Sequence, residues 1–114
     1  MIAIAAFVCA VVAVHDGDTL RCASGVRVRL AGIDAPEIGK CPRYRWCAPG
    51  DAVASREALK RMVIGRVIRC TVAGVSYDRT VAWCRTPAGG DVSCAMFRAG
   101  RAIRRWDYDR RLCQ

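Results

Sequence analysis

The sequence predicts a mainly β fold with helices: an OB-fold, which is a five-stranded Greek-key barrel, with two helices and disulfide staples. Short segments rich in valine and isoleucine are separated by Gly- and Pro-containing turns, as in a small barrel. The elements come in the order three strands, a helix, two strands and a helix, which is the OB-fold order. A mixed α+β sheet of another topology also fits these elements. At 114 residues the chain is predicted to form one domain over 1–114.

Three strands lead the chain and are predicted at residues 6–14, 19–23 and 26–33. Asp16-Gly17 is typical of a tight hairpin turn between the first two strands. In the third strand, apolar residues alternate with Arg27 and Arg29, which is the period of two that a strand with one buried face shows. Pro36 lacks a backbone donor and is expected to end this strand.

The second half of the chain is predicted to add two helices and two strands. These elements are a helix over 52–64, strands over 67–72 and 79–85 with a loop over 73–77 between them, and a short helix over 92–99. Asp51 is suited to cap the first helix, and Gly65 and Gly100 are suited to end the two helices. The first helix carries an apolar stripe of Val53, Ala58, Leu59, Met62 and Val63.

The charge balance favours a polyanionic partner. The chain has 19 Lys and Arg against 10 Asp and Glu, which gives a net charge of +9 and a pI near 9.6. Nearly all of these cations are arginines, whose planar fork grips phosphate through two hydrogen bonds; a GC-rich genome is an alternative source of that preference. Ordinary shares of apolar and charged residues argue against a disordered chain. No apolar run reaches the ~18–20 residues of a membrane span, so we expect no membrane partner. We also expect the chain to be a monomer.

Cysteine content indicates an oxidising compartment. Eight cysteines in so short a chain are typical of a disulfide framework, although 105 pairings are possible. Zinc is disfavoured because the closest cysteines, Cys41 and Cys47, are six positions apart and His15 is the only histidine. The apolar start, Met1 to Val14, has no basic start and no clean cleavage site, and most of it is interpreted as the first strand. Export, periplasmic or secreted, is therefore inferred from cysteine content, without a visible signal peptide.

Four acids occur where strands end, at Asp16, Asp18, Asp34 and Glu37. A barrel brings such strand ends to one mouth, and converging carboxylates in a basic chain suit a hard cation such as calcium. The alternative for Asp16 is turn chemistry, since Asp is favoured in turns.

Two arginines are expected beside these acids. Arg29 lies five residues before Asp34, and Arg79 begins the predicted fifth strand. A cation and two guanidinium groups are suited to neutralise the charge that develops when a phosphodiester is attacked. The alternative for each arginine is a surface ion pair worth about 0–1 kcal/mol.

Three segments together carry a family resemblance. They are DGDT at 16–19, VRLAGIDAPE at 28–37 and YDRTVA at 77–82. In this order, and over nearly the whole chain, they resemble the staphylococcal nuclease-like (thermonuclease) family, and the R-L-x-G-I-D-x-P-E segment is the most specific. The resemblance implies an OB-fold and calcium-dependent hydrolysis of DNA and RNA, preferably single-stranded, at P–O5′ to leave 3′-phosphates.

The resemblance also implies a role for each matching residue. The calcium ligands would be Asp18, Asp34 and the backbone carbonyl of Ala35. The catalytic residues would be Arg29, Glu37 and Arg79, with Glu37 positioning or activating water. The substrate contacts would be Tyr77, Trp106 and Tyr108, although a packing role for Trp106 is an equal alternative. Asp78 departs from the family, which usually has glycine before this arginine, and an acid there would weaken phosphate affinity or pin Arg79.

The strand order of this fold suggests four disulfides. Cys70 and Cys84 stand at equal distances from Tyr77 and face each other across two strands, while Cys9 and Cys22 flank the first hairpin. Cys41–Cys47 would close the loop beside the site, and Cys94–Cys113 would tie the tail to the second helix. Two other function classes remain open: a non-catalytic nuclease-like module that binds nucleic acid, and a basic disulfide-rich toxin or inhibitor.

Overall fold

The computed structural model describes residues 5–106 and 110–113. Its elements are β1 (Ala6–Asp16), β2 (Thr19–Cys22), β3 (Arg27–Leu30), β4 (Ile33–Asp34), α1 (Ala52–Val63), β5 (Val67–Ser76), β6 (Arg79–Arg85), α2 (Val92–Arg98) and β7 (Ile103–Arg104). Five strands close into a barrel in the order β1-β2-β3-β6-β5, because β5 pairs antiparallel with both β1 and β6. Strands β3 and β6 pair in parallel, whereas a simple meander contains only antiparallel pairs. The predicted mainly β, OB-like barrel with two helices is confirmed.

The loop predicted over 73–77 is wrong. Strand β5 continues to Ser76, and only Tyr77 and Asp78 separate it from β6. A register shift between Val72 and Gly74 absorbs one extra residue, so the strand bends and continues through the glycine. The hairpin therefore extends to the site, where Ser76 pairs with Arg79.

The predicted third strand, 26–33, is also too long. β3 ends at Leu30, and Gly32 turns the chain with a φ of 80°. A side chain at Gly32 would meet the Trp83 ring 2.4 Å away, so both space and conformation require glycine there. After this turn the chain forms β4, which pairs with the unpredicted strand β7 in a separate two-stranded sheet.

Helix α1 covers the barrel with part of its predicted stripe. Asp51 caps it by accepting the Ala54 N–H at 3.0 Å, as predicted. Leu59 and Val63 are fully buried, but Val53 is 55% exposed, so including it in the buried stripe was wrong. Val53 lies in the first turn, in which Ser55 is the fully buried residue.

Four disulfides cross-link the described part of the chain: Cys9–Cys22, Cys41–Cys47, Cys70–Cys84 and Cys94–Cys113. These are the four pairs that the strand order suggested. Two of them join paired barrel strands, β1 with β2 and β5 with β6. A framework of this density is typical of proteins from an oxidising compartment. Among the described residues, no helix combines the length and apolar character that crossing a membrane requires.

Candidate active site

A cavity of about 420 Å³ collects the charged residues at one end of the barrel. Its described lining consists of Asp16, Asp18, Arg29, Asp34, Glu37, Arg45, Trp46, Cys47, Ala48, Ser76, Tyr77, Arg79, Arg105 and Trp106. Four carboxylates and four guanidinium groups thus face one space. All five residues that the sequence placed in catalysis or metal binding through their side chains are among them.

The turn between β1 and β2 positions Asp18. A Cβ at Gly17 would lie 1.9 Å from the Ser55 hydroxyl on α1, so only glycine lets the turn pack this closely against the helix. Asp18 is 5% exposed, and its Oδ2 accepts the backbone N–H of Ala35 at 2.9 Å. Its Oδ1 accepts the Thr19 hydroxyl at 2.9 Å. The Thr19 hydroxyl and the Ala35 N–H, from two different segments, therefore hold this carboxylate in one orientation.

Arg29 joins the two acidic segments. It is 7% exposed, and its Nη1 donates to the carbonyls of Leu30 and Ile33, each at 2.8 Å. Its Nη2 lies 3.4 Å from Asp18 Oδ2 and 3.6 Å from Asp34 Oδ1. The guanidinium is therefore fixed by the backbone on one side and lies between two carboxylates on the other.

Burial and neighbouring charges give the three aspartates of the cavity different pKa values. Burial, assisted by Asp18, raises the pKa of Asp16 to about 7. Burial acts in the same direction on Asp18, but the Arg29 guanidinium and the hydrogen bonds to its oxygens outweigh it, so the pKa of Asp18 lies below its usual value. Burial raises the pKa of Asp34, and Asp18 adds to the rise, against the opposing effects of Arg29 and Arg105. Asp18 is therefore the most readily ionised of the three, as a ligand for a hard cation should be.

Arg79 reaches the same cavity from the β5–β6 hairpin. Its Nη1 donates to the Thr19 hydroxyl at 3.3 Å, and its Nη2 donates to the Ser76 hydroxyl at 3.4 Å. Within the described residues, no carboxylate lies within ion-pair distance of this guanidinium. Its contacts are long and uncharged, so an incoming anion can replace them at little cost.

The acid that precedes Arg79, Asp78, is directed away from the cavity. Asp78 Oδ2 accepts from Arg27 Nη1 at 2.6 Å, and both side chains are exposed. The acid that stands beside Arg79 in the sequence therefore interacts with a neighbouring strand and leaves Arg79 to its hydroxyl partners.

Glu37 lies at the edge of the cavity beside the loop that the Cys41–Cys47 disulfide closes. It forms an ion pair with Arg45, which this loop carries. Both side chains are partly exposed, so this pair is accessible from the cavity. Composition had indicated many arginines, but nothing in the sequence singled out Arg45.

Arg105 contacts the site through the unpredicted strand pair. In the β4–β7 pair Asp34 stands opposite Ile103, two residues before Arg105, and the Arg105 Nη1 reaches Asp34 Oδ2 at 3.0 Å. Its guanidinium carbon is 4.7 Å from the ring centre of Trp46 and 4.0 Å from that of Trp106. An arginine thus bridges two tryptophans that come from segments distant in sequence.

The donor set fits a hard cation held by few protein ligands. Asp18 and Asp34 each place one oxygen within 4 Å of the same Arg29 nitrogen, so positive charge between them is favourable. The described residues contain no group of three or more His, Cys, Asp or Glu side chains arranged for a metal. Two carboxylates, completed by carbonyl, water and substrate oxygens, are compatible with calcium or magnesium and not with a zinc site.

The remaining site predictions have different outcomes. Ala35 is buried, and its backbone N–H donates a hydrogen bond to Asp18 Oδ2. Tyr77 and Trp106 both line the cavity with largely exposed side chains. Tyr108 lies outside the described residues. Sequence reasoning did not place Arg45, Trp46 or Arg105 in the site, since their contacts depend on a loop disulfide and on β7.

Comparison with known proteins gives two relatives. Both are named "Uncharacterized endonuclease", one from Escherichia coli O157:H7 and one from Escherichia coli. Each is 35% identical over 103 residues, which cover 87% of this chain. The chain spans about 60% of the length of these curated relatives. No family model matches the chain.

Proposed function

We propose that the protein is a calcium-dependent, sugar-nonspecific endonuclease of the staphylococcal nuclease-like type. It hydrolyses phosphodiester bonds of DNA and RNA at P–O5′ and leaves 3′-phosphates. The observation that carries this proposal is the convergence of three acids and two arginines, Asp18, Arg29, Asp34, Glu37 and Arg79, on one cavity. The printed names of the two bacterial relatives support a nuclease.

The two arginines stabilise the charge that develops on phosphorus. In-line attack spreads negative charge over the equatorial phosphoryl oxygens, and preorganised donors there lower the barrier. Arg29 is held by two carbonyl groups, so it needs little rearrangement before the reaction. Arg79, which contacts only hydroxyls among the described residues, turns its fork to the phosphate when the substrate binds.

The calcium ion would be held by Asp18 and Asp34, with the backbone carbonyl of Ala35 as a third ligand. When bound, such an ion neutralises phosphate charge and lowers the pKa of a bound water. The buried hydrogen bonds of Asp18 prepare this carboxylate for the ion. With only two protein carboxylates, we expect metal and substrate to bind together more tightly than either alone.

Glu37 positions the attacking water and accepts its proton. A bond forms between the water oxygen and phosphorus, the P–O5′ bond breaks, and the leaving O5′ takes up a proton from solvent. Glu37 is paired with Arg45 in the structure, so substrate must compete for Arg45 before Glu37 is free to act.

The setting of the enzyme belongs to the same proposal. We place it outside the cytoplasm, as an exported monomer, because its disulfides require an oxidising compartment. Its substrate is preferably single-stranded, since exposed bases can stack on aromatic side chains such as Trp106 at the cavity edge.

Digestion of a single-stranded oligonucleotide tests the proposal. Incubation with Ca²⁺ should give products with 3′-phosphate ends, while Mg²⁺ should support little cleavage and a chelator none. The matched variant is Glu37→Gln, which keeps the size of the side chain and should abolish most cleavage without unfolding the protein. Binding without cleavage under all conditions would favour the non-catalytic alternative. Cleavage that a chelator leaves unchanged would refute the calcium mechanism.

A further inference from the structure

The loop closed by Cys41–Cys47 contains two successive arginine–aromatic pairs with different surroundings. Arg43 and Tyr44 come first, and Arg45 and Trp46 follow. The second pair lines the cavity, whereas the described lining does not include the first. Tyr44 is 88% exposed and points to solvent. Arg45 and Trp46 are therefore a candidate binding pair, and Arg43 and Tyr44 in the same loop are its matched control.

We propose that Arg45 and Trp46 form a second nucleotide subsite beside the cleaved bond. Arg45 binds the phosphate next to the scissile phosphate, and Trp46 stacks on the base of that nucleotide. This inference rests on the proposed function and specifies its substrate: a single strand of at least two nucleotides on the side of this loop.

Trp46 has the geometry of a preorganised stacking surface. One face contacts Arg105, whose guanidinium carbon lies 4.7 Å from the ring centre. Arg105 is itself held by Asp34 at 3.0 Å and by Trp106 at 4.0 Å. The ring is thus oriented relative to the cavity, yet 56% of Trp46 remains exposed. A base that stacks there loses little affinity to ordering of the ring, and such stacking tolerates any base.

Arg45 has the chemistry of a phosphate ligand that is occupied by an internal anion. Its guanidinium pairs with the Glu37 carboxylate at the edge of the cavity. A phosphate diester offers the same fork-shaped set of acceptor oxygens as a carboxylate. Substrate in the second subsite therefore replaces Glu37 on Arg45, and Glu37 becomes free to position water. Occupation of this subsite should raise turnover as well as affinity.

The disulfide keeps both residues at the cavity. Cys41 and Cys47 are separated by six positions, and inside this ring the Arg45 N–H donates to the Pro42 carbonyl at 3.3 Å. Cys47 itself lines the cavity, so the ring is anchored at the site. Closure of so short a loop leaves few alternative conformations, which limits the entropy lost on binding.

Two substrates of different length distinguish the contribution of this subsite from that of the catalytic residues. One is a deoxynucleoside 3′-phosphate 5′-(p-nitrophenyl phosphate), which carries a single nucleotide, and the other is a fluorescent single-stranded tetranucleotide. With Ca²⁺, Trp46→Ala and Arg45→Ala should each lower kcat/KM about tenfold more on the tetranucleotide than on the small ester. The matched variants Tyr44→Ala and Arg43→Ala should keep the ratio of the two substrates within twofold of the unmutated protein.

Equal losses on both substrates, or equal ratios for Trp46→Ala and Tyr44→Ala, would overturn the subsite. A second measurement is fluorescence anisotropy of the labelled tetranucleotide with chelator present, where Trp46→Ala should weaken binding about tenfold and Tyr44→Ala should not. This binding measurement tests the subsite even if the protein cleaves neither substrate. A lack of cleavage would refute only the nuclease proposal. Equal thermal midpoints for the four variants exclude an effect through folding.

Discussion

The barrel interior and the charged cavity are built from the same strands but depend on different interactions. In β3, Val28 and Leu30 are fully buried in the core, while Arg29 between them faces the cavity. The core residues need only apolar surface and a suitable volume. Arg29 needs named partners, two carbonyls and two carboxylates, each at a defined distance. The same strand therefore positions both sets of residues, but only the cavity requires particular chemical groups.

Arg29→Ala should have the largest effect because Arg29 belongs to both regions. It is nearly as buried as the core. Its loss removes the donor to two carbonyls and the cation beside Asp18, while Asp34 keeps Arg105. We expect a loss of about 3–5 kcal/mol in the free energy of unfolding, measured by urea denaturation, together with a loss of turnover. A stable variant with normal folding energy would contradict the structural role assigned here.

Arg79→Ala should separate the two regions. Its described partners are neutral hydroxyls, so the free energy of unfolding should change by less than about 0.5 kcal/mol. Turnover on single-stranded DNA should fall about 10²–10³-fold, because one of the two phosphate-binding forks is lost. Arg79→Lys is the control that keeps the charge but not the fork, and it should recover only part of the rate. An alanine variant as active as the unmutated protein would remove Arg79 from the mechanism.

Ile68→Ala should affect the core alone. Ile68 is fully buried on β5, where it pairs with Cys9 of β1. Truncation should cost about 2–5 kcal/mol of stability, measured by the same denaturation. Turnover per folded molecule, measured well below the thermal midpoint, should change less than twofold. A selective loss of activity would mean that the core and the cavity are mechanically coupled.

Asp78→Asn should have the smallest effect. Its pairing with Arg27 is exposed, and such pairs contribute about 0–1 kcal/mol. Turnover should stay within twofold, since Asp78 contacts Arg27 and leaves Arg79 free. A severalfold rise in turnover would indicate that this acid restrains Arg79 after all.

The predicted parts of the fold come from local patterns. The strand around Arg29 and the aspartate cap of α1 are visible within a few residues, and both are present in the structure. The expected alternation of buried and exposed residues is wrong at Arg29, which is buried like Val28 and Leu30 because the cavity residues cover it. The loop predicted over 73–77 is absent because a bulge between Val72 and Gly74 keeps the strand paired with β6. Gly17 lies in the predicted hairpin turn between β1 and β2, and the structure adds a second reason for glycine there, the lack of space against Ser55.

The unpredicted parts depend on contacts between distant segments. The β4–β7 pair joins Ile33 to Arg104. Each of these strands has only two residues, so no local sequence pattern predicts the pairing. The contact of Trp46 with Arg105 follows from that pairing and from the closed loop. The sequence therefore identified the residues that match a known family's motifs. The site residues outside those motifs, such as Trp46 and Arg105, could be identified only from the structure.

The most direct measurement is a crystal structure of the protein with Ca²⁺ and a deoxynucleoside 3′,5′-bisphosphate. We expect calcium bound by Asp18 and Asp34, with the 5′-phosphate between Arg29 and Arg79 and Glu37 facing a water on the opposite side of phosphorus. Calcium or the phosphate bound away from this cavity, with the five side chains unchanged, would contradict it.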